Sequence, residues 1–168
     1  LQPYKFIVLT DPRIREQVRL ASWNQAQVTD CSHYVILAIR KDMGMDWVDK
    51  FLARTAEVRG TTMESLEGYR KYIVGDRVNG PRAATINEWA TRQAYIAYGT
   101  LMLAAATLGV DACPIEGMVP AKVDEILDLG SQGLGSVAAC ALGYRLPDDK
   151  YATLPKVRFP VETLVEYR

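Results

Sequence analysis

The chain of 168 residues is long enough to form one domain with a substantial hydrophobic core. Hydrophobic residues make up 49% of it and charged residues 24%, which is ordinary for a globular protein. Twenty basic residues balance twenty acidic ones, which argues against a dedicated nucleic-acid or membrane-surface binder, since such proteins carry a basic excess. No apolar run is long enough to span a bilayer.

The first third of the chain predicts two strands with a helix between them. Tyr4 to Leu9 is β-branched and aromatic and predicts a mostly buried strand. Asp11 can cap a helix that has Pro12 at its first position and runs to about Leu20. Tyr34 to Ile39 predicts a second buried strand.

Helical patterns follow over residues 46–59 and 62–78, and the longest covers residues 83–108. On the longest pattern, apolar residues recur at offsets of three and four. Its second half is small and apolar on nearly every side, which predicts a central buried helix. Gly109 is well placed to end it.

The remainder predicts two more strands and a helix. Residues 110–113 predict a short strand, 121–129 a helix and 135–143 a strand buried on both faces, whereas the tail from Pro147 reads as extended. Strands and long helices are interspersed without strict alternation. The sequence therefore predicts an α+β fold and one domain over residues 1–168.

The cysteines and the single histidine do not suggest a metal site. Cys31, Cys113 and Cys140 are odd in number and far apart. We expect free, buried thiols, which are typical of a reducing compartment and predict the cytoplasm. His33 has no companion ligand at metal spacing, so no metal is assigned, and a structural role is favoured over a catalytic one.

Two segments can carry binding chemistry. Lys156 and Arg158 alternate with an apolar residue in a proline-bounded stretch, a spacing that suits one phosphate group, although these residues alone favour two solvated charges. Pro114-Ile115-Glu116-Gly117 leads from a strand into a tight turn. Pro114 and Ile115 offer an apolar surface for a flat ring, and the turn exposes backbone N–H groups, although the segment in isolation favours a purely structural turn.

Four segments in chain order resemble motifs of the FMN-dependent nitroreductases. The opening Leu1-Gln2-Pro3-Tyr4-Lys5-Phe6 is similar to the family's Gln-Pro-aromatic-x-Phe segment. Asn24 precedes Asp30-Cys31-Ser32-His33 as an asparagine precedes Asp-Ala-Ser-His in that family. Residues 87–117 resemble its long helix and flavin-facing turn, and residues 151–158 its closing Leu-Pro-Lys-x-Arg signature.

The resemblance implies a nitroreductase-like fold, with a central mixed β-sheet flanked by helices. It also implies a homodimer that binds FMN non-covalently at its interface, both subunits lining each site. Lys156 and Arg158 would hold the phosphate. Tyr69 and Tyr72 fall where the family places its variable substrate lid.

The flavin ring would lie against the turn. By the same resemblance, Pro114 and Ile115 would back one face of the isoalloxazine. A backbone N–H of Glu116-Gly117 would meet flavin N5. The side chains of Gln2 and Asn24 would form hydrogen bonds toward the pyrimidine edge and the ribityl region of the flavin.

The implied activity needs no catalytic acid or base, because flavin carries the redox chemistry. NADH or NADPH would supply hydride and a nitroaromatic or quinone would receive it, with ping-pong kinetics. The alternatives are a sister flavin chemistry, either reductive dehalogenation or flavin cleavage, and a non-catalytic protein that binds flavin or dimerises.

The start of the chain departs from the family. Nitroreductases carry additional sequence there, including an Arg-x-Ser phosphate anchor. Leu1-Gln2-Pro3 leads directly into a strand-like run, without a methionine or a polar lead-in. We therefore expect that an N-terminal segment is missing and that the working protein is longer.

Overall fold

The computed structural model describes all 168 residues, with four strands and seven α-helices. The strands are β1 (Tyr4–Leu9), β2 (His33–Arg40), β3 (Asp111–Ile115) and β4 (Leu134–Gly143). The α-helices are α1 (Pro12–Ala21), α2 (Gln27–Asp30), α3 (Met45–Arg59), α4 (Glu67–Ile73), α5 (Ile86–Thr107), α6 (Pro120–Ile126) and α7 (Val161–Leu164). The α+β class is confirmed. None of the helices is both long and apolar enough to cross a lipid bilayer.

The four strands form one sheet in the order β1-β2-β4-β3, and the prediction of a mixed sheet is wrong. Every neighbouring pair is antiparallel. Strands β2 and β3 do run in the same direction, but β4 lies between them. No two parallel strands are therefore neighbours, although a long helical crossover connects β2 to β3.

The position of each strand in the sheet decides its burial. The central strands β2 and β4 are buried almost throughout, as their apolar runs predict. Strand β1 was expected to be mostly buried, but it is an edge strand whose Phe6 and Val8 are exposed. Strand β3 forms the other edge and extends through Pro114, which fell in the predicted turn. An edge strand accommodates proline because one side of it has no partner to receive an N–H.

Local signals fix several helix ends as predicted. The side chain of Asp11 accepts a hydrogen bond from the backbone N–H of Arg13, and Pro12 occupies the first turn of α1. Beyond α5, Gly109 has a φ of 72°, a left-handed conformation that glycine adopts readily. Residues 62–78 are not one helix, however, because a 3₁₀ turn, α4 and a π-helical turn follow one another there.

The long helix α5 packs one face on the sheet. Its Ala90, Ala94 and Tyr98 are buried against the central strands. The opposite face exposes Ile96 and Leu103, each 67% accessible in the single chain. An apolar helix face of this kind is typical of a surface that another element covers.

The tail after Gly143 lies outside the core. Arg145 binds Asp111 at the root of the tail, and beyond Arg145 every hydrogen bond of the tail stays within it. Nearly all of its residues are exposed. The tail contains the short helix α7, although the sequence pattern predicted extended chain.

Candidate active site

The turn that follows β3 presents two free backbone donors. The N–H groups of Glu116 and Gly117 donate to no acceptor in the structure. The turn is held in two ways. The carbonyl of Glu116 accepts a hydrogen bond from the N–H of Met118 (2.7 Å), and the preceding residue, Ile115, is buried in the core. A rigid turn with unused N–H groups can bind an electron-rich atom of a ligand.

A short loop after α1 lies beside this turn. Its two central residues, Trp23 and Asn24, have φ values of 53° and 56°, in the left-handed region. Non-glycine residues occupy that region uncommonly, and such positions cluster at functional sites. The amide oxygen of Asn24 accepts from Nε of Arg19 (3.0 Å), which fixes its orientation, and Trp23 is 73% exposed.

Gln25 fastens the loop to the turn. Its Nε2 donates to the carbonyl oxygens of Gly117 (2.7 Å) and Ser22 (3.0 Å). A Cβ atom on Gly117 would lie 2.9 Å from both Gln25 Nε2 and Trp23 Cε3, closer than real contacts allow. The φ of Gly117 is not positive, so close packing, not backbone conformation, requires glycine here.

Residues 1–144, most of the chain, match the family model named Nitroreductase family. The chain belongs to the nitroreductase family. It is therefore an oxidoreductase, as its sequence motifs predicted.

Two curated relatives match this chain over nearly its whole length. It is 32% identical over 177 residues to YfkO of Bacillus subtilis, which carries the provisional name NAD(P)H nitroreductase. A Staphylococcus epidermidis protein with the same kind of provisional name is 30% identical over 174 residues. In both comparisons the match covers 99% of this chain and 78% of the relative.

Solved structures share the fold. The protein ydfN of Bacillus subtilis, provisionally described as a nitroreductase, has a TM-score of 0.85 at 20% identity, covering 99% of this chain and 78% of that one. A provisionally described nitroreductase of Exiguobacterium sibiricum, solved in complex with FMN, has a TM-score of 0.80 at 21% identity, covering 99% and 77%. The nitroreductase-like fold is confirmed.

The structure brings some of the predicted nitroreductase site residues together and separates others. Asn24 lies in the loop that Gln25 fastens to Gly117, as described above. Gln2 lies at the other edge of the sheet, in a groove with Trp47 and Phe51. Strands β2 and β4 separate the two places, a distance on the order of 14 Å at the usual strand spacing. Within one chain, therefore, Gln2 does not join the turn.

The two predicted phosphate-binding cations form no hydrogen bond with the turn in the single chain. Lys156 Nζ donates to the carbonyl of Tyr151 (3.0 Å), and a guanidinium nitrogen of Arg158 donates to the carbonyl of Val157 (2.7 Å). Both side chains are exposed and neither is in an ion pair. Their charges therefore remain available to an anion.

The predicted lid residues lie on α4, three positions apart on one side of the helix. Tyr69 is 47% exposed and Tyr72 is 68% exposed, and neither hydroxyl has a hydrogen-bond partner. Exposed aromatic rings of this kind can contact a second molecule.

The ionisable groups near the turn favour binding over nucleophilic chemistry. Burial raises the pKa of the Cys113 thiol in β3, and it raises that of Cys140 in β4 to about 11. Burial therefore disfavours the thiolate, the reactive form, at both cysteines. At the start of β3, hydrogen bonds from the side chain and backbone of Arg145 lower the pKa of Asp111 to about 2. That carboxylate is therefore committed to the ion pair.

Sequence reasoning did not identify Trp23 or Gln25. Trp23 could have been noticed because it directly precedes Asn24. Gln25 carries no such signal, since its partner Gly117 lies 92 residues away along the chain.

Proposed function

We propose that this nitroreductase family member forms a single domain that binds FMN. It passes reducing equivalents from NADH or NADPH to a flat organic acceptor. The observation that carries the proposal is the pair of unused N–H groups at Glu116 and Gly117. A ring nitrogen that gains electron density on reduction is stabilised by such donors. The description of relatives as NAD(P)H nitroreductases, and the FMN complex of one structural neighbour, support the same conclusion.

The described residues fit FMN chemically. Pro114 is exposed and offers a rigid apolar strand end to one face of the ring, whereas Ile115 is buried in the core and supports Pro114 from behind. Asn24, held by Arg19, has its amide nitrogen available for the pyrimidine edge or the ribityl chain. Gln2 lies at the other edge of the sheet, so the Gln2 that contacts a flavin at this turn would have to come from a second chain.

Lys156 and Arg158 would hold the FMN phosphate. Neither side chain is in an ion pair in the single chain, and both lie on a tail that no hydrogen bond joins to the core beyond Arg145. We infer that the tail settles against the site when the flavin and a second subunit are present. Charge-assisted hydrogen bonds to a phosphate are strong enough to order such a segment.

FMN bound at this turn would supply the redox chemistry between the nicotinamide and the acceptor. The protein orients the ring and keeps one face open. Donor and acceptor use that face in turn, which gives ping-pong kinetics. Nitroaromatics and quinones suit it because they are flat and accept electron pairs.

A homodimer completes the proposal. The outer face of α5 exposes Ile96 and Leu103, and the tail exposes Val157 and Phe159. Burying these surfaces between two copies would remove them from water. The second copy also provides a route by which Gln2 can reach a flavin held at the turn. Free thiols at all three cysteines support the cytoplasm as the proposed location.

Absorbance spectroscopy tests the proposal. Protein incubated with FMN and desalted should remain yellow, bleach with NADH or NADPH under nitrogen, and regain its colour with a quinone. Free FMN under the same conditions is the control for direct reduction. Colourless protein after saturation with FMN would contradict flavin binding. Yellow protein that neither nicotinamide bleaches would instead indicate a flavin-binding protein without this activity.

A further inference from the structure

Two tyrosines of α5 reach the end of β3 from the helix that crosses it. Tyr95 and Tyr98 are three residues apart and so lie on the same face of α5. Their rings pack edge to face, with centroids 5.9 Å apart and an interplanar angle of 83°. Both hydroxyl groups contact residues of the segment that leads into the turn.

The hydroxyl of Tyr98 joins the backbones of β3 and β4. It accepts a hydrogen bond from the N–H of Ile115 (3.2 Å) and donates one to the carbonyl of Ala139. Ile115 and Ala139 are direct partners in the strand register. All three residues are buried, so no water can replace the hydroxyl readily. Tyr98 therefore fixes the backbone immediately before Glu116.

The hydroxyl of Tyr95 binds the next residue. It donates to Oε1 of Glu116. Burial, with the adjacent carboxylate, raises the pKa of Tyr95 to about 12. The hydroxyl consequently keeps its proton, and remains a donor to Glu116, throughout the physiological pH range. No cation pairs with this carboxylate, so Tyr95 is the group that disperses its charge.

We propose that Tyr95 and Tyr98 are positioning residues that hold the flavin-facing turn on α5 and, through the Glu116 carboxylate, set the reduction potential of bound FMN. The inference rests on the proposed function. A negative charge beside a group that takes up electrons disfavours its reduction. By donating to Glu116, Tyr95 reduces that effect, while Tyr98 keeps the Glu116 backbone N–H in place.

Reduction potentials of the FMN-loaded protein test the role of Tyr95, with each variant equilibrated against a reference dye. We expect Tyr95→Phe to lower the potential, because the carboxylate loses its donor, and Glu116→Gln to raise it. Each change should shift the two-electron equilibrium about tenfold, or ~30 mV. In the Glu116→Gln background, Tyr95→Phe should have little further effect. An unchanged potential in Tyr95→Phe, or an equal shift in both backgrounds, would overturn the proposal.

Hydrogen exchange of the flavin-free protein tests the role of Tyr98. The amide of Ile115 should exchange at least about tenfold faster in Tyr98→Phe, which removes one oxygen atom and keeps the ring. Tyr144→Phe, at an exposed tyrosine, is the matched control and should leave both the amide and the potential unchanged. Unchanged exchange at Ile115 in folded Tyr98→Phe would contradict its positioning role.

Flavin binding and the effect of Tyr95 on the potential can be contradicted separately. Protein that binds no FMN would contradict the proposed function, and the exchange of Ile115 would still be measurable. Protein that binds FMN and is bleached by NADH, yet keeps its potential in Tyr95→Phe, would contradict only this inference. Tyr95→Phe removes a partly exposed hydroxyl, so it should fold even if Tyr98→Phe does not.

Discussion

The side-chain amide of Gln25 donates a hydrogen bond to the carbonyl oxygen of Gly117, 2.7 Å away, and so joins two loops that are 92 residues apart in the chain. One loop follows the first helix and the other follows an edge strand. Neither is held there by strand pairing. Together with the backbone hydrogen bond from the Val119 N–H to the Ala21 carbonyl (2.8 Å), this bond places Asn24 beside the free N–H groups of the turn.

Gln25→Ala should weaken both the fold and the site. Loss of a partly buried hydrogen bond typically lowers the free energy of unfolding by about 0.5–1.5 kcal/mol, and freeing the loop should also raise the Kd for FMN. Urea unfolding and fluorescence titration measure the two effects. Gln27→Ala is the control, because the Gln27 side chain is exposed and makes no hydrogen bond. Equal behaviour of the two variants would show that the loop does not need this bond.

Gly117→Val should impair FMN binding at least about tenfold, a cost of roughly 1.4 kcal/mol. The added atoms would collide with Trp23 and Gln25 and displace the loop from the turn. Gly130→Val is the control, since a Cβ there meets nothing within 4 Å. Flavin affinity that survives in Gly117→Val would mean that the loop and turn need not touch when flavin binds.

The double change Lys156→Ala/Arg158→Ala should release FMN and leave the fold intact. Each charged hydrogen bond contributes on the order of 1.5–3 kcal/mol, so affinity should fall more than tenfold. The thermal midpoint of the flavin-free protein should not change, because both side chains are exposed and form hydrogen bonds only within the tail. Arg168→Ala removes another tail cation and serves as the control. If flavin stays bound as tightly in the double variant, the phosphate lies elsewhere.

The protein should be a dimer that buries well above the roughly 1,600 Å² of a standard interface. Light scattering should give twice the chain mass. The change Ile96→Glu/Leu103→Glu should produce monomers, because it places two charges in the apolar face of α5. Val58→Glu, at an exposed position of α3, should remain dimeric. A stable monomer with bound flavin would contradict this assembly.

Stability should depend on the ionisation of Asp111 between about pH 4 and pH 2. Its pKa in the folded protein is lowered from 3.8 to about 2 by Arg145. The contribution is therefore fully present above the unfolded value and is lost as the pH falls through the folded one. The thermal midpoint of the wild type should drop more steeply in that window than that of Asp111→Asn. Parallel curves would show that the ion pair does not couple to folding.

The sequence predicted those features whose causes are local. The capped start of α1 at Asp11, the end of α5 at Gly109 and the apolar run of β2 depend on neighbouring residues and were located to within a few positions. The sequence predicted a turn over Pro114–Gly117, of which only Glu116 and Gly117 lie beyond the end of β3. Its steric need for glycine, however, comes from Trp23 and Gln25 and is visible only in the folded chain.

The features that the sequence did not predict depend on tertiary arrangement. Hydrophobic patterning cannot distinguish an edge strand from a central one, so β1 was expected to be more buried than it is. Whether parallel strands are neighbours likewise depends on the strand order in the sheet. Because β4 lies between β2 and β3, the prediction of a mixed sheet failed. The hydroxyl of Tyr98 bonds two backbone groups that are distant in sequence, and an amphipathic pattern reports only that its ring is buried.

The central place of β4 has a consequence for the order in which the chain can fold during synthesis. Strands β1 and β2 can pair as soon as both have left the ribosome. Strand β3 emerges later but has no neighbour in the sheet until β4 follows it. Until then, the apolar edge of β2 is open and available to other nascent chains. A ribosome stalled just before residue 134 should therefore present an aggregation-prone intermediate that binds chaperones, whereas one stalled after β4 has emerged should not.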